Sequence, residues 1–311
     1  MENRIPVADA HCDFLYYMVH NGFRLQSLKQ HQSLNFERMK TGNVKLQFFA
    51  AWVDPAGRLS CLQQALDLFD AYWRMHEEND SLVPFTKDFS RQSGKIATVL
   101  TVEGGEAIHG RLENLRLFHR LGVRAMTLTW NSTNELASPA MRRGKKGLTE
   151  LGKRVVEEMC RIGIAPDVAH LNGAGIDQVL EIATVPIFAS HSNACAVCSH
   201  PRSLTDEHIR AIAKQNGVVC VNFYPPQLTD KKTASITDII RHISHIAGIA
   251  GIDAVGLGSD FDGMSVYPFD MEHSGNFPKL FEALRREGFS EADIQKIAYD
   301  NLSNYIARFC V

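Results

Sequence analysis

Short apolar segments rich in β-branched residues alternate with longer amphipathic segments along the chain, and this alternation constrains the fold most. Eight segments have the length and composition of strands, namely residues 5–10, 44–52, 96–102, 123–129, 163–168, 186–190, 218–223 and 254–258. Several are apolar almost without interruption, as in Val218–Val221. Such runs are typical of strands that are covered on both faces of a parallel sheet.

The segments between these strands have the periodicity of helices. Apolar residues recur every three or four positions in residues 59–78 and 148–162. Ser235 and Ser290 each precede an acidic residue by three positions, a pattern typical of helix starts, and the last helix is expected over about residues 290–309. Eight strands alternating with helices predict an α/β fold, specifically a TIM (β/α)8 barrel, with an open α/β sheet as the alternative.

Length and charge limit the organisation and the partners. A chain of 311 residues could hold two domains by length alone, but an α/β barrel commonly uses ~250 residues as one. We therefore expect residues 1–311 to form a single barrel domain with terminal and loop extensions. The 33 Lys and Arg residues are balanced by 35 Asp and Glu residues, which argues against a nucleic-acid partner. One short basic loop, with Arg142, Arg143, Lys145 and Lys146, is expected to be solvated.

The sequence also indicates a cellular location. The first residues, MENRIPVADAHCDF, contain no apolar run of the secretory kind, and no segment has the ~18 uncharged apolar residues of a membrane span. Seven cysteines, an odd number, are spread over the chain, which favours a reducing compartment over a disulfide framework. These features predict a cytoplasmic protein that does not associate with membranes.

Metal-ligating and acidic side chains occur where the predicted strands end. They are His11 and Asp13 after the first strand, Glu103 after the third, His170 after the fifth, His191 after the sixth and Asp260 after the eighth. In a barrel all carboxyl ends of the strands surround one mouth, so these residues are expected to converge there.

The set predicts a site for two metal ions. Three histidines with carboxylates suit zinc or a similar divalent ion, and the set is too large for one tetrahedral zinc. Two Zn2+ per chain are therefore expected, bridged by Glu103 because a carboxylate has two oxygens. One ion would take His11 and Asp13, and the other would take His170 and His191. The predicted fold is thus a barrel with a binuclear metal site at its mouth.

These residues lie in segments that resemble the membrane (renal-type) dipeptidases, zinc peptidases with an amidohydrolase-like barrel. The resemblance covers nearly the whole chain, through DAHCD at 9–13, VEGGEAI at 102–108, LGVRAMTLT at 121–129, APDVAH at 165–170, FASHS at 188–192, CSHPRSL at 198–204, VCVNFYP at 219–225 and VGLGSDFDG at 255–263. It implies a TIM barrel of the metal-dependent hydrolase type, a binuclear zinc site with the same five ligands, and a dipeptide as substrate.

The resemblance also implies roles for residues outside the metal site. Arg202 would hold the C-terminal carboxylate of the substrate, Asp260 would shuttle a proton, and Tyr224 would contact the substrate. Trp130 stands where mammalian-type members place a histidine that touches the substrate carbonyl, and Asn131 or Asn134 could replace that contact. The family often forms dimers, so a homodimer is an expected partner.

The mechanism implied is attack on the peptide bond by a hydroxide that bridges the two metals, with Glu103 and Asp260 as catalytic groups. The scissile bond would be fixed from both ends, so the stereochemistry of the C-terminal residue would be only loosely checked. Both L,L and L,D dipeptides are therefore expected as substrates. Because Trp130 departs from the family pattern, a metal-dependent hydrolase of another amide, such as an N-acyl amino acid or a lactam, stays open. A barrel that binds metal or peptide without turnover is the remaining alternative.

Overall fold

The computed structural model describes residues 4–29, 31–91, 94–142, 144 and 146–310, so Arg143 and Lys145 of the basic loop lie outside the described residues. Within them, one parallel sheet contains the strands β1 (Val7–Asp9), β2 (Val44–Trp52), β3 (Leu82–Pro84), β4 (Ile96–Glu103), β5 (Val123–Thr127), β6 (Ala165–Asp167), β7 (Phe188–Ala189), β8 (Val218–Val221) and β9 (Val255–Leu257).

Eight of these strands close a barrel. Neighbouring strands follow the order β1-β2-β4-β5-β6-β7-β8-β9, and β9 pairs again with β1. The predicted TIM barrel is therefore confirmed, and each predicted strand corresponds to one barrel strand. Several are shorter than predicted: β8 ends at Val221 rather than at 223, and β5 ends at Thr127 rather than at 129. The residues beyond these ends turn into the loops of the mouth.

A ninth strand, β3, was not predicted. It pairs with residues 96–98 of β4, whereas β5 pairs with β4 only from Leu100 onward. The strand thus covers an edge that β5 leaves free. Its three residues include Pro84, which is tolerated because β3 has a neighbour on one side only.

Helices cover the outside of the barrel. They are α1 (Phe14–Asn21), α2 (Phe36–Thr41), α3 (Cys61–Glu77), α4 (Leu112–Arg120), α5 (Glu150–Ile162), α6 (Gly173–Ile182), α7 (Asp206–Lys214), α8 (Pro225–Leu228), α9 (Ile236–Ala250), α10 (Phe277–Arg286), α11 (Glu291–Gln295) and α12 (Asn301–Ile306). Ser235 and Ser290 begin α9 and α11, as predicted. Ser290 and Asp293 form reciprocal capping hydrogen bonds, and Asp238 accepts from the backbone N–H and the hydroxyl of Ser235. The predicted last helix is α11 and α12, joined by a π-helical turn at Lys296–Asp300.

The interior of the barrel is filled with side chains. Phe48 and Phe188 are fully buried inside it, and Tyr305 of α12 packs on Phe188 with ring centroids 4.9 Å apart. The hydroxyl of Tyr305 also donates to the carbonyl oxygen of Pro186, which precedes β7. The C-terminal helix therefore closes the amino-terminal end of the barrel, and a site has room at the opposite end. No helix in the described part of the chain has the length and apolar character needed to cross a bilayer.

Candidate active site and metal centre

The carboxyl ends of the barrel strands bring together all six residues predicted to converge. His11 and Asp13 follow β1, Glu103 ends β4, His170 follows β6, His191 follows β7 and Asp260 follows β9. The first five are buried, and the side chain of Asp260 is 13% exposed. Residues separated by up to 249 positions in sequence thus form one cluster at the mouth, because the barrel closes.

Glu103 lies at the centre of this cluster. Its Oε1 is 2.8 Å from Nε2 of His170 and 3.5 Å from Nε2 of His191, while its Oε2 is 3.5 Å from Nε2 of His11. Burial raises the pKa of Glu103, but the charge and hydrogen bonds of the surrounding histidines outweigh burial and hold that pKa well below its ordinary value. The carboxylate is therefore ionised, with each oxygen facing a different part of the cluster.

His170 and His191 present the same nitrogen to the centre. Nδ1 of His170 lies 3.0 Å from Oδ1 of Asn131, and Nδ1 of His191 lies 2.7 Å from Oγ of Ser190. Their Nε2 atoms are 3.0 Å apart. Burial lowers the pKa of His170 to about 3 and holds the pKa of His191 well below its ordinary value, so both rings are neutral. A neutral imidazole oriented through its other nitrogen is the form that binds a metal.

Two buried polar atoms of the cluster have no hydrogen-bond partner among the described residues: Nε2 of His11 and Oδ1 of Asp13. Leaving such atoms unpaired inside a protein is unfavourable, so they call for a group that the chain itself does not supply. The candidate ligand atoms fall within 4.8 Å of one another in two overlapping groups, which are His11, Glu103 and His191, and His11, Asp13 and Asp260. The donor set and its unpaired atoms fit divalent metal ions.

Asp260 differs from Glu103 in its electrostatic state. Burial raises its pKa to about 7; the positive charge of His11 opposes this rise, while the carboxylates of Asp13 and Glu103 add to it. Its Oδ1 lies 4.0 Å from Nε2 of His11. The residue also has a left-handed backbone, with φ of 62°. A non-glycine residue held in this conformation within a buried site is typical of a functional constraint.

A cavity of about 430 Å³ opens above the cluster, which is large enough for a small-molecule ligand. All four residues predicted to bind substrate line it: Trp130, Asn131, Arg202 and Tyr224. The Arg202 side chain is buried, Nη2 donates to the carbonyl oxygen of His191 at 3.3 Å, and Nε has no partner among the described residues. A guanidinium with an unpaired nitrogen at a cavity is suited to an anionic group.

Asn134, considered as a substitute for the missing histidine contact, is not free to contact a substrate, because its side chain is hydrogen-bonded to protein groups. Its Nδ2 donates to Glu106 and to the carbonyl oxygen of Leu128, and its Oδ1 accepts from the backbone of Leu136 and Ala137. The side chain therefore organises the loop after β5 and is committed to protein groups. Asn131 lies in the cavity instead, against His170.

Three buried polar residues around the cluster were missed in the sequence. Asp9 accepts hydrogen bonds from the backbone and hydroxyl of Ser259, and Asp167 accepts from the backbone of Ala169 and Ser190. Each carboxylate thereby ties the end of one strand to the next. The third, Asn222, donates from Nδ2 to Oδ2 of Asp260 at 3.1 Å. The only sequence signal was a polar residue directly at the end of an apolar strand.

Comparison with known proteins places this geometry in a family. The family described as membrane dipeptidase, peptidase family M19, matches residues 1–307. The chain belongs to this family. Dipeptidase aclJ of Aspergillus oryzae is 30% identical over 324 aligned residues, which cover 96% of this chain and 77% of the relative. An uncharacterized dipeptidase of Schizosaccharomyces pombe is 31% identical and covers 96% of this chain and 79% of its own length.

Solved structures of two metallo peptidases share the fold along nearly the whole chain, and one of them is described as a member of family M19. A metallo peptidase from Rhodobacter sphaeroides, liganded with a phosphinate mimic of the dipeptide L-Ala-D-Ala, superposes with a TM-score of 0.89 at 28% identity and covers 99% of this chain and 100% of its own. A metallo peptidase named dipeptidase AC gives a TM-score of 0.90 at 28% identity, over 98% and 99% of the two chains. The M19 chain described here is thus a metallo-dipeptidase, a hydrolase that acts on dipeptides.

Proposed function

We propose that this M19 chain hydrolyses L,L and L,D dipeptides with two Zn2+ ions. The proposed ligands are His11, Asp13, Glu103, His170 and His191. The observation that carries the proposal is the position of Glu103, whose two oxygens face His11 on one side and the neutral His170 and His191 on the other. A carboxylate placed between two groups of nitrogen ligands is suited to bridging two cations.

Bound zinc ions would supply an activated water near neutral pH and would polarise the scissile carbonyl. The chain contributes the negative charge that makes two cations tolerable in a buried site. Glu103 is ionised, and Asp13 is the second carboxylate among the proposed ligands. His170 and His191 keep their Nε2 atoms available because Asn131 and Ser190 occupy the opposite nitrogens.

Asp260 is proposed as the group that moves the proton. It would take a proton from the attacking water and give it to the departing amine, acting first as a general base and then as a general acid. Its geometry supports this role, because Asn222 binds Oδ2 and leaves Oδ1 facing the cluster. A carboxyl group that both accepts and releases a proton near neutral pH serves such a cycle.

Arg202 is proposed to hold the C-terminal carboxylate of the dipeptide. Its unpaired Nε can add a charge-assisted hydrogen bond to such a group. Trp130, Asn131 and Tyr224 would line the rest of the substrate cavity. The L,D activity is supported by the relative from Rhodobacter sphaeroides, which was crystallised with a mimic of L-Ala-D-Ala. The cytoplasmic location, the homodimer and the single-domain organisation over residues 1–311 stay predictions.

Metal stoichiometry measured together with a substrate panel tests the function. The panel contains L,L and L,D dipeptides, N-acyl amino acids and a lactam, each assayed on zinc-loaded enzyme. We expect about two zinc ions per chain and cleavage of both dipeptide classes. Cleavage confined to N-acyl amino acids or the lactam would replace the dipeptide by another amide, an outcome that Trp130 keeps open. Bound zinc without any hydrolysis would favour a binding protein.

A further inference from the structure

Four aromatic side chains form a continuous surface along one side of the cavity. Tyr16 and Tyr17 lie on α1, Trp52 is the last residue of β2, and Trp130 follows β5. We call these four residues the aromatic wall. Their ring centroids are 5.5 Å apart for Tyr16 and Tyr17, 4.9 Å for Tyr16 and Trp52, and 5.0 Å for Trp52 and Trp130. All four line the cavity and remain partly exposed to it.

The position of the wall is fixed by strand register. Trp52 pairs with Glu103 across β2 and β4, and paired residues of parallel strands place their side chains on the same face of the sheet. The wall thus begins directly beside the central carboxylate of the cluster.

The opposite side of the mouth carries the polar substrate contacts. Arg202, Tyr224 and Asp260 follow β7, β8 and β9, whereas Trp52 ends β2 and Trp130 follows β5. In the closed order β1-β2-β4-β5-β6-β7-β8-β9, these two groups of strands lie across the barrel from each other. A ligand anchored at Arg202 and reaching over Glu103 therefore ends at the aromatic wall.

We propose that the aromatic wall binds the side chain of the N-terminal residue of the substrate and makes the enzyme selective for dipeptides that begin with a bulky apolar or aromatic residue. This inference rests on the proposed function, because it needs the carboxylate at Arg202 and the scissile bond over Glu103. With those two points fixed, the N-terminal residue extends toward β2 and β5, and its side chain lies against Trp52 and Trp130.

The wall presents apolar aromatic surface and contains no counter-ion of its own for a charged side chain. Its members are two indoles and two phenols, and none is a carboxylate that could pair with a lysine or arginine side chain. The rings also hold one another in edge-to-face contacts, at interplanar angles of 66° for Tyr16 and Trp52 and 68° for Trp52 and Trp130. Such preordered rings bind an apolar group with little loss of side-chain freedom.

The test compares kcat/KM for five dipeptides: Phe-Ala, Leu-Ala, Lys-Ala, Ala-Ala and Ala-Phe. For the unsubstituted enzyme we expect Phe-Ala and Leu-Ala to exceed Ala-Ala by about tenfold or more, because a large side chain buries apolar surface that alanine does not. Trp52→Ala should reduce the ratio of Phe-Ala to Ala-Ala to within about threefold, while Trp52→Phe should keep most of it. Neither Trp52 substitution should change the ratio of Ala-Phe to Ala-Ala much, because the C-terminal phenylalanine side chain of Ala-Phe lies on the Arg202 side of the cavity.

Trp73→Phe is the matched control, because Trp73 is 38% exposed on α3 and donates to the carbonyl oxygen of Leu121, away from the cavity. It should leave every ratio unchanged. The inference is overturned if Lys-Ala is the best substrate, or if Trp52→Ala lowers Phe-Ala and Ala-Ala equally. Hydrolysis of all five dipeptides at similar rates would refute the inference alone, whereas hydrolysis of none would overturn the proposed function beneath it.

Discussion

The side-chain amide of Asn222 donates a hydrogen bond of 3.1 Å to Oδ2 of Asp260. Asn222 is itself fixed by its backbone, since its N–H donates to Oδ1 of Asn193 and its carbonyl oxygen accepts from Nδ2 of Asn193. The side-chain amide that orients the proposed proton shuttle thus belongs to a residue whose backbone N–H and carbonyl oxygen are both hydrogen-bonded to Asn193. This arrangement determines which oxygen of Asp260 faces His11.

Asn222→Ala should therefore lower kcat by about tenfold, a part of the 10²–10⁴ that general acid–base catalysis typically contributes. Zinc content should change little, because Asn222 is not a proposed ligand. KM should change less than kcat, although Oδ1 of Asn222 also accepts from the backbone N–H of Tyr224 in the cavity lining. Asn301→Ala is the control: Asn301 donates to the carbonyl oxygens of Ile252 and Val255, at the amino-terminal end of β9. That variant should lose stability and keep its kcat. An Asn222→Ala enzyme with normal kcat would show that Asp260 needs no such orientation.

Asp260→Asn should reduce kcat by roughly 10²–10⁴-fold, because an amide cannot accept and release the proton. The amide preserves the size of the side chain, and Asp260 is not among the five proposed ligands, so zinc content should stay at the unsubstituted level. Steady-state kinetics and metal analysis on the same sample check both expectations. Full activity would remove Asp260 from the mechanism, and loss of zinc would make it a ligand instead.

Arg202→Ala should lower kcat/KM for dipeptides by roughly 10- to 100-fold, the usual loss for a hydrogen bond to a charged group. The effect should fall mainly on KM. Arg202→Lys should be intermediate, because an ammonium keeps the charge but not the forked geometry of the guanidinium. C-terminally amidated dipeptides are the comparison, and they should be nearly insensitive to both substitutions. Equal losses on free and amidated substrates would contradict contact with the carboxylate.

The sequence was sufficient for the barrel and for the convergence of the six strand-end residues. His11, Glu103 and Asp260 each follow an apolar segment, and closure of the barrel brings such positions to one mouth whatever the details of packing. The contacts of Asn222 and the pairing of Trp52 with Glu103 depend on strand register and on where each strand ends. Periodicity does not specify those quantities, so both relationships required the structure.

The position of Gly263 beside the acidic residues of the site is another relationship that required the structure, and it gives a further prediction. A β-carbon at this position would lie 2.1 Å from Oδ2 of Asp13 and 2.4 Å from Oδ1 of Asp260. Gly263→Ala must therefore displace both carboxylates or the backbone that carries the new methyl group. Displacements of this size at a catalytic centre can lower the rate by about 10²-fold, and we expect a loss of that order together with reduced zinc content.

Gly248→Ala is the matched control for Gly263→Ala. Gly248 is exposed on α9, and no atom lies within 4 Å of the position where its β-carbon would be. Alanine is the better helix former, so this variant should raise the free energy of unfolding by about 1 kcal/mol and leave the kinetics unchanged. If Gly263→Ala retained full zinc content and activity, the close approach of the Gly263 backbone to Asp13 would have no functional importance.

His242, a buried histidine outside the site, should make stability depend on pH. Its Nδ1 accepts from the backbone N–H of Ala194 at 3.1 Å, and its Nε2 lies 3.1 Å from the carbonyl oxygen of Leu228, so only the neutral ring satisfies both contacts. Burial lowers the pKa of His242 to about 4, although the hydrogen bond to Leu228 opposes the shift.

The pKa of His242 in the folded protein lies below the unfolded value of about 6.5. The stabilisation that the neutral His242 ring gives the folded state is therefore complete above about pH 6.5 and is lost as pH falls toward 4. Between about pH 7.5 and about pH 5, the linkage removes about 2 kcal/mol from the free energy of unfolding. The glutamine of His242→Gln does not titrate in this range. The free energy of unfolding of the unsubstituted protein minus that of the variant should therefore fall by that amount between the two pH values. Urea unfolding of both proteins at each pH measures the difference, in which acid effects of the shared metal site cancel. If this free energy of unfolding, unsubstituted protein minus variant, stayed constant or rose as pH falls, His242 would not be held in its neutral form.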